Sequence, residues 1–139
     1  MLSTKHFSFF LSTGLAAACA SAAELPREFE GERTNSATGW TGKVALRGLT
    51  YSDGKFTGRG DLYFPLDKKG GATPCNRMDD EVFGTFVASS DGFIESLRVT
   101  FTYPHGPRCD PVSVTLTRDA GTNQYVGQFA TRWTLRALP

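Results

Sequence analysis

Cys75 and Cys109 are the residues of this chain with the plainest chemistry, because two thiols outside the N-terminal apolar segment form a disulfide wherever the compartment is oxidising. Polar side chains cluster around both. Asn76, Arg77, Asp79 and Asp80 follow the first cysteine, with Lys68, Lys69 and Gly70-Gly71 before it. His105, Arg108 and Asp110 flank the second. This is the composition of binding loops, and long loops on a β scaffold are where binding residues usually sit. It is a poor composition for a metal or for catalysis. Two cysteines and one nearby histidine match no zinc spacing. Asp79-Asp80-Glu81 lacks the alternating spacing of calcium loops. His105 lies in Pro104-His105-Gly106-Pro107, a turn sequence, and the chain has no Gly-x-Ser-x-Gly. No catalytic residue, no metal ligand and no cofactor is assigned.

Other residues carry weaker signals. Tyr125 and Trp133, with Trp40 and Phe129, place large rings at the two ends of the domain. They fill a core or line a ligand cavity at a barrel mouth. Glu95 falls on the apolar face of its strand with Phe93 and Leu97, so it needs an arginine, a ligand or the water at the strand end. Arg59-Gly60-Asp61 spells the integrin-binding tripeptide, but inside a predicted strand rather than at a loop tip.

The N-terminus sets the compartment. Lys5 and His6 precede an apolar run, Phe7 to Ala18, which is too short to span a bilayer. Ala20-Ser21-Ala22 and Ser21-Ala22-Ala23 supply small residues at a cleavage site. Residues 1–23 read as a signal peptide, and the protein as periplasmic or secreted. Leu15-Ala16-Ala17-Ala18-Cys19 loosely resembles the lipobox of bacterial lipoproteins, although Ala16 stands where that motif prefers Leu. The resemblance implies the alternative of an outer-membrane lipoprotein anchored at Cys19. No later stretch is long and apolar enough for a transmembrane helix. Of the 15 Lys and Arg, Lys5 leaves with the signal, so 14 balance the 14 Asp and Glu. That balance argues against nucleic-acid binding, which needs a basic excess.

The elements that position these residues are strands. Short alternating runs rich in Val, Phe, Tyr and Thr are separated by Gly, Asp, Asn and Pro. Residues 24–39, with Glu24, Glu28, Glu30 and Glu32, read as a flexible acidic tail. Residues 40–139 read as one all-β domain of six strands, at about 40–51, 55–65, 81–89, 93–103, 112–118 and 124–138. The third strand is apolar on both faces (Val82 and Phe86; Phe83 and Val87). Ser52-Asp53-Gly54, Ser90-Asp91-Gly92 and 119–123 are tight turns. An antiparallel up-and-down meander puts these turns at one end and the connections 66–80 and 104–111 at the other, which brings Cys75 and Cys109 together. A small barrel is the expected form, with a β-sandwich as the alternative. Lipocalins, avidins and small periplasmic protease inhibitors are similar in strand pattern alone, and no residue carries over from them.

The function expected is that of an exported, non-enzymatic barrel. It binds a small ligand or a protein through the disulfide end, with Arg77, Asp79, Asp80, His105 and Arg108 in the loops and Tyr125 and Trp133 at the mouth. Inhibition of a secreted or host hydrolase, and a lipid-anchored structural role in the envelope, are the alternatives. Reducing Cys75–Cys109 should lower Tm, since a bridge closing such a loop contributes roughly 3–4 kcal/mol. Calorimetry with and without reductant, with thiols counted, checks this, and an unchanged Tm after reduction refutes it.

Overall fold

A computed structural model describes residues 25–63, 75–102 and 111–139. The chain forms a closed antiparallel barrel in strict meander order. Its strands are β1 (Phe29–Thr34), β2 (Thr41–Ser52), β3 (Lys55–Leu62), β4 (Arg77–Ala88), β5 (Ile94–Phe101), β6 (Val112–Asp119), β7 (Gln124–Phe129) and β8 (Thr131–Ala137). The sandwich alternative is excluded, and the six predicted strands become eight.

The first extra strand is β1, which occupies much of the predicted acidic tail. Phe29 and Arg33 point inward with Gly31 between them, while Glu30 and Glu32 face out. Charge concealed the alternation, because its inward row holds only one large apolar residue. β1 pairs with β2 from Phe29↔Leu46 to Thr34↔Thr41, and with β8 from Phe29↔Ala137 to Thr34↔Arg132. The second extra strand arises because the predicted last strand folds back on itself at Ala130. That residue takes a left-handed φ of 57°. No Gly, Asn or Pro marks this turn, so nothing local announced it.

Alternation holds over most of the rows that were read, but Phe93 and Phe129, expected on core faces, are exposed at 45% and 39%. Leu97, Val99 and Phe101 on β5, Val112, Val114 and Leu116 on β6, and Trp133 and Leu135 on β8 are buried. Glycines make room for them. A Cβ on Gly60 would lie 2.8 Å from the Ala45 carbonyl and 2.9 Å from the Phe101 ring, and one on Gly84 would fall on the Arg98 carbonyl. These glycines let neighbouring backbone and rings close in where the barrel is narrow. Outward positions carry Glu30, Lys43, Arg59, Arg98, Arg132 and Arg136, all in contact with solvent. An apolar interior and a charged exterior reverse the arrangement of a barrel embedded in lipid. Among the described residues no helix is long and apolar enough to cross a membrane.

The meander gives the barrel two unlike ends. The turns 53–54, 89–93 and 120–123 share one end. The strand ends that lead into the connections 35–40, 63–76 and 102–111 share the other with the turn at Ala130. Residues 25–28 cross the short-turn end. Leu25 is buried there, and the Pro26, Arg27 and Glu28 carbonyls accept bonds from the Tyr51 hydroxyl, the Leu49 N–H (3.1 Å) and the Leu138 N–H (2.9 Å). Gly84→Ala should destabilise the barrel by about 1–3 kcal/mol or more through overpacking against fixed backbone. Gly121→Ala, whose Cβ would meet only Asp119 at 3.5 Å, should stay within about 0.5 kcal/mol of wild type. Urea unfolding of both variants checks the contrast.

Candidate functional site

The end of the barrel with the longer connections holds two inward arginines. Arg33 is 3% exposed and Arg77 is fully buried. Arg33 reaches the interior because β1 alternates. Arg77 does so because β4 bulges: Leu62 pairs with Arg77 and Gly60 with Asp80, so Met78 and Asp79 together face Asp61 on the outside. Asp79 takes a φ of 52° to make that bulge, a conformation Asp tolerates. The Arg33 guanidinium lies 4.9 Å from the centre of the Trp40 ring, and its Nε donates to the Tyr63 carbonyl at 2.9 Å. Arg77 donates through a terminal nitrogen to the Cys75 carbonyl. Burial first, and the charge of Arg77 second, push the Arg33 pKa down to about 10.

Each arginine therefore holds one root of the 64–74 connection. Tyr63 is the last described residue before it, and Cys75 the first after it. Bringing two guanidinium groups out of water is costly unless they are well bonded. Here the bonds among the described residues fix backbone at the base of a connection.

Outside the barrel, the same bulge is clamped by an ionic network. Arg47 grips Asp61 with two bonds (2.5 and 3.1 Å) and Asp79 with a third (3.0 Å). Arg59 lies 3.4 Å from the Asp79 carboxylate and also donates to the Asp79 carbonyl, while the Asp79 N–H donates to Asp61 at 2.7 Å. The hydrogen bonds from Arg47 hold both carboxyls below their ordinary 3.8, and those carboxylates in turn raise the Arg47 pKa. Arg59 and Asp61, the charged residues of the Arg-Gly-Asp tripeptide, are thus engaged within the sheet face.

The other predicted site residues scatter. Tyr125 and Trp133 are core residues. The Tyr125 hydroxyl donates to the Ile94 carbonyl at 2.8 Å, and its ring meets Phe29 edge-on at 5.2 Å. Burial raises its pKa. Trp133 packs on Phe101 at 6.2 Å, and its indole N–H has no hydrogen-bond partner among the described residues. Asp80 is half-buried on an inward row, opposite Gly60. Glu95 leaves the apolar row, because a register shift between Val87 and Ala88 puts Ile94 inside, and Glu95 pairs with Arg118 at 3.3 Å. Cys75 is half-buried and is not a free thiol. His105, Arg108 and Cys109 lie outside the described residues, as do Lys68, Lys69, Gly70, Gly71 and Asp110, and with them the predicted disulfide partner and the loop histidine. Among the described residues no group of three His, Cys, Asp or Glu is placed to hold a metal. The sequence reading missed Arg33 as part of this end, and named Trp40 only as a ring for the core or for a ligand cavity at a barrel mouth. The two-residue period of Phe29-x-Gly31-x-Arg33 was the available signal.

Fold and site together define a side-chain-filled, eight-stranded meander barrel with two buried arginines at the base of one end. No family model matches this chain, and no curated protein or solved structure matches it either.

Asp61→Asn should lower stability at neutral pH by about 1–2 kcal/mol, since it weakens charged hydrogen bonds at a mostly covered site. The folded-state pKa lies below the unfolded one, so the contribution is complete above about 4 and is lost as pH falls through the folded value. Urea midpoints of wild type and variant should therefore differ at pH 7 and converge towards pH 2. A gap that persists in acid refutes the assignment.

Proposed function

We propose that this is an exported, non-enzymatic binding protein whose contact surface is the barrel end bearing the connections 35–40, 63–76 and 102–111. Cys75–Cys109 staples that end in an oxidising compartment. One observation carries the reading: both roots of the 64–74 connection are bonded by buried arginines, Arg33 to the Tyr63 carbonyl and Arg77 to the Cys75 carbonyl. Fixing the base of a loop lowers the ordering cost of binding through it, which is what a recognition surface requires. The clamp of Arg47 and Arg59 on the Asp79 bulge adds to the same fixation from outside.

The filled interior favours a macromolecular partner over a small ligand held inside the barrel. Trp133, Phe101, Phe29 and Tyr125 occupy the space that a ligand-carrying barrel leaves open. A partner therefore meets the rim.

Position-specific photo-cross-linking tests this directly. A photoreactive residue is placed at Ala37, exposed at the proposed contact end, or at Ala120, exposed at the short-turn end. The protein is then irradiated in the cells that produce it. An adduct at Ala37 that is missing at Ala120 is the expected result. Equal adducts from both, adducts from Ala120 alone, or none from either would overturn the proposal.

A further inference from the structure

The turn between β7 and β8 runs against the preferences of its own residues. Gln128 pairs with Arg132 and Phe129 with Thr131, which leaves Ala130 alone at the apex. Eight described residues take a positive φ; seven are Gly, Asp or Asn, and Ala130, at 57°, is the eighth. The alanine Cβ makes that conformation costly. Little at the turn offsets the cost. The Thr131 hydroxyl reaches the Phe129 carbonyl only at 3.4 Å, and Phe129 stays exposed. Tyr125, Val126, Phe129, Thr131 and Trp133 are all strand formers, and none favours a turn.

This turn also differs from its neighbours in phase. At 53–54 the inward row passes from odd-numbered Tyr51 to even-numbered Phe56. At 120–123 it passes from even-numbered Leu116 to odd-numbered Tyr125. Across Ala130 the phase is kept: Tyr125, Thr131, Trp133 and Leu135 are all odd-numbered and all buried. Gly127 belongs to the same row, since a Cβ there would meet Val114 and Leu116. A chain running straight through Ala130 therefore keeps every inward residue of β7 and β8 on one face. Straightening 53–54 or 120–123 would turn one of the two strands inside out.

β8 is the final strand, paired with β7 on one side and β1 on the other. It can leave the barrel without threading the chain through itself. We propose that the protein forms a dimer with a second copy of itself by exchanging β8. In that dimer residues 124–137 run as one strand, and β8 of each copy lies between β1 and β7 of the other. The pairings of β8 with β1 are remade across chains, as are those with β7 beyond the hinge. Trp133 and Leu135 then fill the partner's core as they fill their own. Exchange thus keeps the buried contacts and releases Ala130 from the left-handed region in both copies. The entropy lost on joining two molecules opposes it, so the dimer forms at high concentration.

The purified protein is unfolded in urea without reductant, refolded at about 5 or about 500 µM, and separated by size. Monomer is expected from the dilute sample. A dimer is expected from the concentrated one, persisting on dilution because β8 must leave a core to return. Ala130→Gly, with no Cβ to strain, should lower the dimer yield about fivefold or more. Ala130→Val, whose β-branch suits a strand and not this turn, should raise it. Exchange itself is read from two single variants refolded together, Glu32→Cys on β1 and Thr134→Cys on β8, which are partners in register. Oxidation after dilution should join the two variants in the dimer fraction and not in the monomer fraction. A wild type that gives no dimer at the higher concentration overturns the proposal. So does a dimer in which the two cysteines do not join, or one whose yield Ala130→Gly leaves unchanged.

Discussion

The barrel depends on the closure made by six residues. β1 bonds to β2 on one side and β8 on the other, so the sheet has no free edge. Without it, β2 and β8 would each expose a row of unpaired N–H and C=O groups, an invitation to aggregate. The inward row of β1 then meets the inward rows of its neighbours: Phe29 lies against Tyr125, and Arg33 stands beside Trp133 and Gly42 in register. Closure and core are therefore one event in this protein, and a strand with a single large apolar side chain accomplishes both.

The two ends of the closed barrel have been given different work. The short-turn end is sealed by ordinary means, with Leu25, Tyr51, Phe56 and Phe86 packed together and tight turns between strands. The other end contains the costly features: two buried guanidinium groups, a bulge with a non-glycine residue at positive φ, and a four-residue ionic network on its outer side. Features of this kind hold a local geometry in place, which is the ground for the recognition role proposed for that end.

Legibility of the fold in the sequence followed side-chain chemistry closely. β5, β6 and β8 were visible because their inward rows are aliphatic or aromatic and their outward rows are Ser, Thr and Arg. β1 was hidden by its acids, which face water and say nothing about the row behind them. The β7–β8 reversal was hidden because Ala130 adopts a turn conformation that its neighbours impose. At the site, the polar loop composition pointed to the end that also bears the two buried arginines. The inward path of Arg77 was not readable, because it follows from a one-residue bulge, and a shift of one residue sends every side chain to the opposite face. Tyr125 and Trp133 were assigned to a mouth because aromatic residues near a chain end suit a rim and a core equally well. Only the register with Gly127 and Arg33 places Trp133 inside.

The strap of residues 25–28 also decides which pole of the molecule lies nearest to anything attached upstream of it. Its carbonyls are bonded across the short-turn end, so Leu25 lies at the pole opposite the pinned connections. Were Cys19 to carry a lipid, the leash from there to Leu25 could extend no more than about 20 Å. Such an anchor would hold the short-turn pole, and not the pole of the pinned connections, close to the bilayer.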